Sequence, residues 1–244
     1  MRADVIATGY SPERVIKAKK MLLRGSMLSI VMLFASLVSA YVVTKGGASY
    51  WVNITLPNSF WISTVLILLS SLTSFLAVKA GSKNKLTRVR LFLILTFALG
   101  VGFAVSQYQG FITLSERGLS LTGNYLENLN GEYGVDYHIT DHNQTLVPFV
   151  DGHYIDPDDP TGSKIIDNKI TELHNPASTY LIFIIGLHVL HIAGGLIYLF
   201  FLVIYSYFGR IERFNYLKVS QIATYWHFVD LLWILLLLFL YFIH

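Results

Sequence analysis

The stretch from Tyr225 to Trp233 reads YWHFVDLLW and lies inside the last apolar run of this 244-residue sequence. A related string, HVLH, runs from His188 to His191 inside the apolar run before it. An Asp at the centre of a membrane helix costs about 2.5–3.5 kcal/mol on insertion scales. Polar residues at such positions usually have a specific role, so these two strings indicate where a functional site is to be expected.

Composition places the surrounding chain in a membrane. Hydrophobic residues make up 54% of the sequence, charged residues only 14%, and the mean hydropathy is +0.54. A soluble domain carries about 25% charged residues. The sequence contains no cysteine, which excludes disulfides, iron–sulfur clusters, thiolate-held copper and zinc sites built on cysteine. We expect no nucleic-acid partner.

The apolar runs predict the number of membrane spans. A bilayer core needs about 20 mostly apolar residues per helix, and five runs meet that length: 22–44, 59–79, 90–110, 177–208 and 221–243. No cleaved signal peptide is apparent before the first run. The predicted fold is an all-α integral membrane protein, a five-helix transmembrane bundle with a long irregular outer loop.

Four regions follow from this pattern. They are a basic N-terminal segment (1–21), the first three helices (22–110), an acidic loop (111–176) and the last two helices (177–244). Of the 18 Lys and Arg residues, 14 fall on the side of the N-terminus and the second and fourth linkers, and 4 on the other side. The positive-inside rule therefore predicts a cytoplasmic N-terminus, an outer C-terminus and a periplasmic loop 111–176.

The loop 111–176 is long for a connection within one domain. It carries eleven acidic residues and four histidines, among them His138, His142 and His153. A metal site is conceivable, but the spacing of these histidines fits no standard ligand pattern. We expect a solvated outer lobe that contacts a partner, and its acidity would suit a basic protein such as a c-type cytochrome, or a larger respiratory supercomplex.

Two hypotheses compete for the histidines of the last two spans. His188 and His191 share one helix face, and His227 and Asp230 repeat that spacing. They could ligate a haem between the helices, or they could form interhelical hydrogen bonds and bind lipid headgroups. At 1.5 Å per residue, His191 lies roughly 10–15 Å further from the cytoplasmic end than His227. A single haem does not bridge that offset in the usual bis-axial way, so the second hypothesis is favoured.

The same depth calculation suggests partners for the imidazoles. Gln107 and Tyr41 both lie about 25 Å along their spans, near the depth of His191. We therefore expect His188 or His191 to hydrogen-bond one of them. For Asp230 the nearest predictable partner is His227, one turn back on the same face.

Aromatic and small residues predict packing. Tyr225, Trp226 and Tyr241 lie near span ends and would form interface belts, whereas Trp233 is deeper and its indole N–H needs a partner in the bundle. Small residues form helix-packing stripes in membranes. The sequence offers two such stripes: Gly25, Ser29, Ser36 and Ala40 on span 1, and Gly186, Ala193, Gly194 and Gly195 on span 4.

These strings resemble a known family. The string at 225–233 is similar to the Y-W-H-F-V-D-x-x-W motif of cytochrome c oxidase subunit III, and the segment that begins at His188 resembles the H-G-L-H-V-x-x-G segment of the same family. Both occur in the family's order on the last two spans, and Gln107-Tyr108 resembles a third, weaker region. The resemblance covers residues 15–110 and 175–244 but not the outer loop.

The resemblance implies a short, five-helix bacterial form that lacks the family's first two helices. Span 1 would then match a helix in which the family has S-E-V-M-F-F, and here Ile30 stands where the Glu would be. Any role tied to that carboxylate is not carried over. The positions carried over as structural and lipid-contact residues are His188, His191, Trp226, His227, Asp230 and Trp233, with Gln107 and Tyr41 added from the depth calculation.

The implied function is that of an accessory, non-redox subunit III of an aa3-type cytochrome c oxidase. Such a subunit packs on subunit I, binds phospholipid in the bacterial inner membrane and supports proton uptake and complex stability. Haem and copper would lie in partner subunits I and II, a small subunit IV is a possible further partner, and no catalytic, cofactor or metal site is expected in this chain. The alternatives are subunit III of a quinol oxidase, a homologue that serves nitric oxide reductase, and, in another class, a b-type haem subunit.

Overall fold

The computed structural model describes residues 11–117, 131–159, 161–171, 176–207 and 216–243. Arg2, Arg210 and Arg213, which contribute to the predicted orientation, lie outside the described residues. The same holds for the start of the N-terminal segment and for parts of the loop.

Five long helices dominate the described chain, as the sequence predicts. They are α1 (Pro12–Gly47), α2 (Ser59–Ser82), α3 (Leu86–Glu116), α5 (Ala177–Tyr207) and α6 (Tyr216–Ile243). All five are long and apolar enough to span a membrane. Helix α1 begins at Pro12, and proline is tolerated in the first turn of a helix. The basic stretch before span 1 is therefore part of the same helix as the span.

Helices α2 and α3 form a tight antiparallel hairpin and make the most extensive contact in the molecule. The turn between them passes through Asn84, whose φ of 53° is a left-handed conformation that asparagine tolerates. Helix α6 packs against α2, and α5 packs against both α3 and α6. The centre of the bundle is an apolar cluster that includes Phe60, Phe103 and Trp233, all fully buried.

Helix α1 lies at the edge of the bundle and, among the long helices, packs mainly against α5 and α6. Its inner face carries Ile30 and Phe34, which pack with Ile184 of α5 and Leu232 of α6. The predicted packing stripe makes no close contact within the described chain, where Gly25, Ser29, Ser36 and Ala40 are all exposed. Bulky apolar side chains on the opposite face fill the contact instead, and nothing lies within 4 Å of a Cβ built at Gly25.

The lobe at one end of the bundle contains strands that the sequence prediction of an irregular loop missed. Strand β1 (Tyr50–Ile54) pairs antiparallel with β2 (Tyr137–Asp141), with Asn53 opposite His138. A hairpin joins β3 (Phe149–Val150) to β4 (His153–Tyr154), and the short helix α4 (Asp167–Thr171) follows. Alternate residues of β2 are buried, so the strand covers the core of the bundle. We call this the strand end of the molecule.

Carboxylates organise the outer part of the lobe. Asp159 accepts hydrogen bonds from the hydroxyl and backbone N–H of Thr161 and from the backbone N–H groups of Ser163 and Lys164, which hold its pKa far below the ordinary value. Asp167 pairs with His153 at 2.5 Å and Asp156 with Lys164 at 2.7 Å. These partners also lower the pKa of each of the two carboxyls.

Candidate functional site

Three polar side chains of the YWHFVDLLW string contact helix α2, whereas the Tyr225 hydroxyl donates to the His191 carbonyl of α5 at 3.0 Å. The Trp226 indole donates to the Ser70 hydroxyl at 2.8 Å, and the Trp233 indole donates to the Thr64 hydroxyl at 3.0 Å. A third contact lies next to the first: Nδ1 of His227 is 2.6 Å from the Ser71 hydroxyl. We call these three contacts the α2–α6 seam.

The hydrogen bonds extend from the seam to helix α3. Ser70, which accepts from Trp226, donates to the Thr96 carbonyl at 3.3 Å, and the Thr73 and Thr96 hydroxyls are 2.8 Å apart. Nearer the strand end, the Gln107 amide donates to the Ser63 hydroxyl at 2.7 Å. Hydroxyls of α2 thus connect three helices, and each donor is satisfied without water, as a position inside a bilayer requires.

Glycines on neighbouring helices make room for the indole of Trp226. A Cβ added at Gly100 of α3 would lie 2.9 Å from the Trp226 ring and 2.8 Å from Leu196. At Gly195 of α5 the added Cβ would meet the rings of Tyr225 and Trp226 at 3.0–3.1 Å. The predicted packing role is therefore confirmed for Gly195, whereas no described residue lies within 4 Å of a Cβ built at Gly186 or Gly194.

His188 is enclosed by aromatic rings. Its ring stacks on Trp233 with centroids 5.1 Å apart and an interplanar angle of 26°, and the rings of Phe34 and Phe103 meet it edge-on. The side chain is fully buried, and neither ring nitrogen has a hydrogen-bond partner among the described residues.

The predicted hydrogen bonds from the α5 histidines to Gln107 or Tyr41 are wrong. His191 Nδ1 bonds the Leu187 carbonyl of its own helix at 2.6 Å. The Gln107 amide instead donates to the Ser63 hydroxyl. The Tyr41 hydroxyl accepts from the Trp51 indole at 3.2 Å. The depth calculation fixed positions along the helices but not the rotation of each residue about its helix axis, and rotation decides which side chains meet.

Asp230 does not pair with His227, which corrects a further prediction. His227 turns towards the Ser71 hydroxyl instead. The Asp230 carboxyl lies beside the same hydroxyl but makes no hydrogen bond of acceptable geometry to any described residue. It is 3% exposed, so it is an acid buried deep in the last helix.

Burial and hydrogen bonding test the predictions for three aromatic residues of the last span. The interface-belt prediction is wrong for Trp226, which is 1% exposed and bonded to Ser70. The expectation that Trp233 finds a partner in the bundle is confirmed by Thr64. Tyr241 is 61% exposed, as expected of a residue near a span end.

Sequence reasoning missed the hydroxyls on α2 that receive these contacts. Ser63 and Thr64 recur seven residues later as Ser70 and Ser71. Seven residues are nearly two helical turns, so the two pairs lie on one helix face. That repeat inside an apolar span was the available signal for the seam.

The loop histidines predicted as conceivable metal ligands do not form such a site in the part of the chain that the structure describes. There, no three His, Cys, Asp or Glu side chains come together in a way that could hold an ion. His153 pairs with Asp167, whereas His138 and His142 line a cavity beside β2.

Comparison with known proteins gives consistent names at low identity, although no model of a protein family matches the chain. It is 21% identical over 218 residues to "Cytochrome bo(3) ubiquinol oxidase subunit 3" of Buchnera aphidicola subsp. Schizaphis graminum, covering 88% of each chain. It is 24% identical over 206 residues to "Cytochrome c oxidase subunit 3" of Bacillus sp. PS3, covering 83% of this chain and 74% of that one. At this low identity, the names of these relatives support the subunit III family of haem–copper oxidases.

A mycobacterial relative of the same family is longer. The chain is 22% identical over 180 residues to "Probable cytochrome c oxidase subunit 3" of Mycobacterium bovis, which covers 74% of this chain. The match spans 64% of the mycobacterial protein, which is less than two-thirds of its length. The chain described here is thus a multi-pass membrane protein that is similar, at low identity, to subunits 3 of cytochrome c and ubiquinol oxidases.

Proposed function

We propose that this chain is the accessory, non-redox subunit III of an aa3-type cytochrome c oxidase in a bacterial inner membrane. It packs on subunit I, binds phospholipid, and supports proton uptake and the stability of the complex during oxygen reduction. Subunits I and II carry the haem and copper, and a small subunit IV is a further candidate partner.

The use of the motif residues is the observation that carries the proposal. Trp226, His227 and Trp233 engage hydroxyls of α2. Polar side chains that form interhelical hydrogen bonds stabilise a helix bundle. These three side chains are therefore not arranged around a cofactor. This is the arrangement expected of a subunit that supports its neighbours, and the names of the relatives supply the complex to which those neighbours belong.

The packing of His188 supports the absence of a haem in this chain. Aromatic rings from α1, α3 and α6 contact its imidazole, which is 0% exposed. A haem ligand needs an open approach to a ring nitrogen, and the His188 side chain has no exposed surface. The rival hypothesis of a b-type haem subunit is therefore disfavoured.

A groove at the end of the bundle opposite the strands supports phospholipid binding. The groove, about 470 Å³, lies between the start of α1 and the facing parts of α5 and α6. Lys19 and Gln221 line it together with apolar residues such as Leu22 and Ile222. A cationic rim over an apolar wall suits a phospholipid with an anionic phosphate. Of the histidines carried over from the family, His191 and His227 are half-buried, whereas His188 is fully buried and inaccessible to lipid.

The outer lobe is proposed to face the periplasm and to contact a basic partner, either a c-type cytochrome or a larger respiratory supercomplex. Between residues 131 and 171 the described chain has eight acids and two lysines. Charge complementarity of this kind raises association rates and sets orientation. The proposal follows from that balance of charge and from the predicted topology.

A quinol oxidase is the second candidate, because the Buchnera relative covers 88% of each chain and bears the name of a ubiquinol oxidase subunit. The neighbouring genes separate the two candidates. A subunit II gene with a copper-binding cysteine cluster supports cytochrome c oxidase, whereas a subunit II gene without that cluster supports quinol oxidase. A surrounding cluster for nitric oxide reductase would overturn both.

Deletion of the gene tests the supporting role. Membranes from the deletion strain should reduce oxygen at an initial rate close to that of the parent, but activity should decay faster during continuous turnover. A strain complemented with the full gene is the control. Loss of all initial turnover together with loss of haem incorporation would contradict a supporting role.

A further inference from the structure

A small sheet of three short segments lies in the outer lobe. Strands β3 and β4 are joined by a two-residue turn at Asp151 and Gly152, and both residues have positive φ, as tight hairpins require. On the opposite edge of β4, Ile155 pairs with Ile165 in an antiparallel bridge. The segment around Ile165 is therefore the third member of the sheet.

The pairing of these segments shows which side chains share a face. Successive residues of a strand point to opposite faces, and directly paired residues point to the same one. The Tyr154 ring packs inward against the ring of Tyr133, and Ile166 is only 3% exposed. The residues that alternate with them therefore point outward. We call the apolar ones the outer face of the hairpin: Pro148, Val150, Ile155 and Ile165.

An apolar outer face is unusual for such a sheet. An antiparallel sheet that packs on a core with one face commonly presents polar side chains on the other. Here Val150 is 52% exposed and Ile165 is 54% exposed. None of the five candidate membrane spans among the described residues includes the hairpin, so the bilayer core does not account for these side chains. Exposed apolar surface with a polar rim marks a site of interaction.

Carboxylates lie at the two ends of this face. Asp151 is in the turn before β4 and Asp158 is in the turn after it, and both are exposed. Neither forms an ion pair with a described residue, whereas Lys164 of the same sheet is already paired with Asp156. A partner would therefore meet an apolar centre with an acidic group at each end.

The charge of the lobe argues against two other occupants of the face. The described residues between 131 and 171 include eight acids and two lysines. A second copy of the chain would bring the same excess of negative charge, and like charges across an interface are unfavourable. An anionic lipid surface attracts basic segments rather than acidic ones. A protein with basic side chains beside an apolar patch meets both requirements of the face.

We propose that the outer face of the hairpin anchors an extramembrane domain of another protein, one that presents an apolar patch flanked by Lys or Arg side chains. Apolar side chains of the partner cover Val150 and Ile165, and its basic groups pair with Asp151 and Asp158. The inference rests on the proposed contact of the outer lobe with a basic partner. It adds the surface, and it assigns the strength of the contact to apolar burial and its orientation to charge.

Site-specific photo-crosslinking in native membranes identifies the occupant. A benzophenone amino acid replaces Val150 in one strain, and in the control strain it replaces Val135, an exposed valine of the same lobe outside the hairpin. Position 150 should cross-link to an extramembrane segment of another protein in which apolar residues adjoin Lys or Arg, and position 135 should not. A cross-link from position 150 to a second copy, to lipid or within the chain would overturn the proposal. So would the absence of any cross-link there, or equal cross-linking at the two positions.

Serine substitutions measure the apolar contribution. In a variant that combines Val150→Ser with Ile165→Ser, the amount of the cross-linked partner that co-purifies with a tag on this chain should fall at least about tenfold, because two apolar side chains no longer gain from burial. Val135→Ser is the matched control and should retain the partner. Both substituted positions are exposed, so the unfolding temperature of the double variant should equal that of the parent. Full retention of the partner by the double variant would contradict the anchor.

A wash with salt separates apolar anchoring from contact by charge alone. Salt at about 1 M shortens the screening length to about 3 Å, and the parent assembly should still keep the partner. If the wash removes the partner from the parent assembly, the contact is electrostatic and the apolar anchor is wrong, although the oxidase role and an acidic docking surface would stand. An assembly that lacks haem in every strain would count against the oxidase role instead.

Discussion

Trp226 shows at the scale of one residue how the bundle uses a polar group in an apolar setting. Its ring fills the space left by Gly100 and Gly195, and its indole N–H reaches Ser70 on a third helix. Shape and hydrogen bonding therefore act at the same position. Interhelical hydrogen bonds in membranes contribute about 0.6 kcal/mol on average and about 1.7 at most, so the two contributions can be separated by mutation.

Trp226→Phe removes the N–H donor and part of the ring. We expect the free energy of unfolding in detergent to fall by about 2 kcal/mol, from the lost hydrogen bond and the lost ring volume. A double-mutant cycle with Ser70→Ala isolates the hydrogen bond. Tyr241→Phe, at an exposed position, is the control and should change little. A coupling energy of zero between Trp226 and Ser70 would contradict the assigned contact.

The glycines beside Trp226 give a second prediction at this scale. Gly100→Ala places a Cβ within 3 Å of Leu196 and of the Trp226 ring, and overpacking of this kind costs about 1–3 kcal/mol. Gly186→Ala is the matched control, since nothing lies within 4 Å there and alanine favours helix by up to about 1 kcal/mol. The unfolding temperatures of the two variants check this difference in stability. Equal changes in unfolding temperature would show that the close contact at Gly100 is absent.

At the scale of elements, the helices were predictable because their length and apolar composition are local properties of the sequence. The contacts between helices were not. The stripe through Gly25 and Ser36 predicted a packing face on α1, but Phe34 on the opposite face makes the contact. Small residues permit close approach without requiring it, so the stripe alone did not determine which face of α1 packs.

The strands could not be predicted from the sequence, for a different reason. Tyr50–Ile54 and Tyr137–Asp141 are separated by two spanning helices and by the first part of the loop, and each is only five residues long. Pairing between such distant segments leaves no periodic signal in either one. The alternation of buried residues in β2 becomes meaningful only once its partner strand is known.

The lobe should loosen in acid. Asp167 and Asp156 have lowered pKa values because they bond His153 and Lys164, and the pKa of Asp159 is lowered because it bonds Thr161. A carboxyl with a lowered folded pKa stabilises the fold above its unfolded pKa of about 3.9 and loses that contribution as pH falls towards the folded pKa. The lobe should therefore keep its stability from neutral pH to about pH 4 and lose stability below that pH.

Hydrogen exchange measured by mass spectrometry checks this at the scale of the lobe. After correction for the intrinsic pH dependence of exchange, peptides covering 153–167 should lose protection below about pH 4, while peptides from α2 and α3 should keep theirs. Loss of protection between pH 7 and pH 5 would mean that other groups control the lobe.

At the scale of the whole molecule, five spanning helices and a structured acidic lobe form a unit with two cavities at opposite ends. Both cavities border apolar helix surface, and each carries a lysine, Lys19 in one and Lys45 in the other. Within the spans that the structure describes, several buried polar side chains join helices to one another. Such a molecule is suited to hold neighbours and lipids in place, which is the role proposed for it in the oxidase.

The central claim is that this chain assembles with a haem–copper oxidase while holding no haem itself. Purification through a tag on this chain, followed by separation of the subunits and visible spectroscopy of each fraction, tests it most directly. We expect the intact assembly to show haem absorption that remains with the partner subunits when this chain is removed. An assembly without haem, or haem bound in a fixed ratio to this chain alone, would contradict the account.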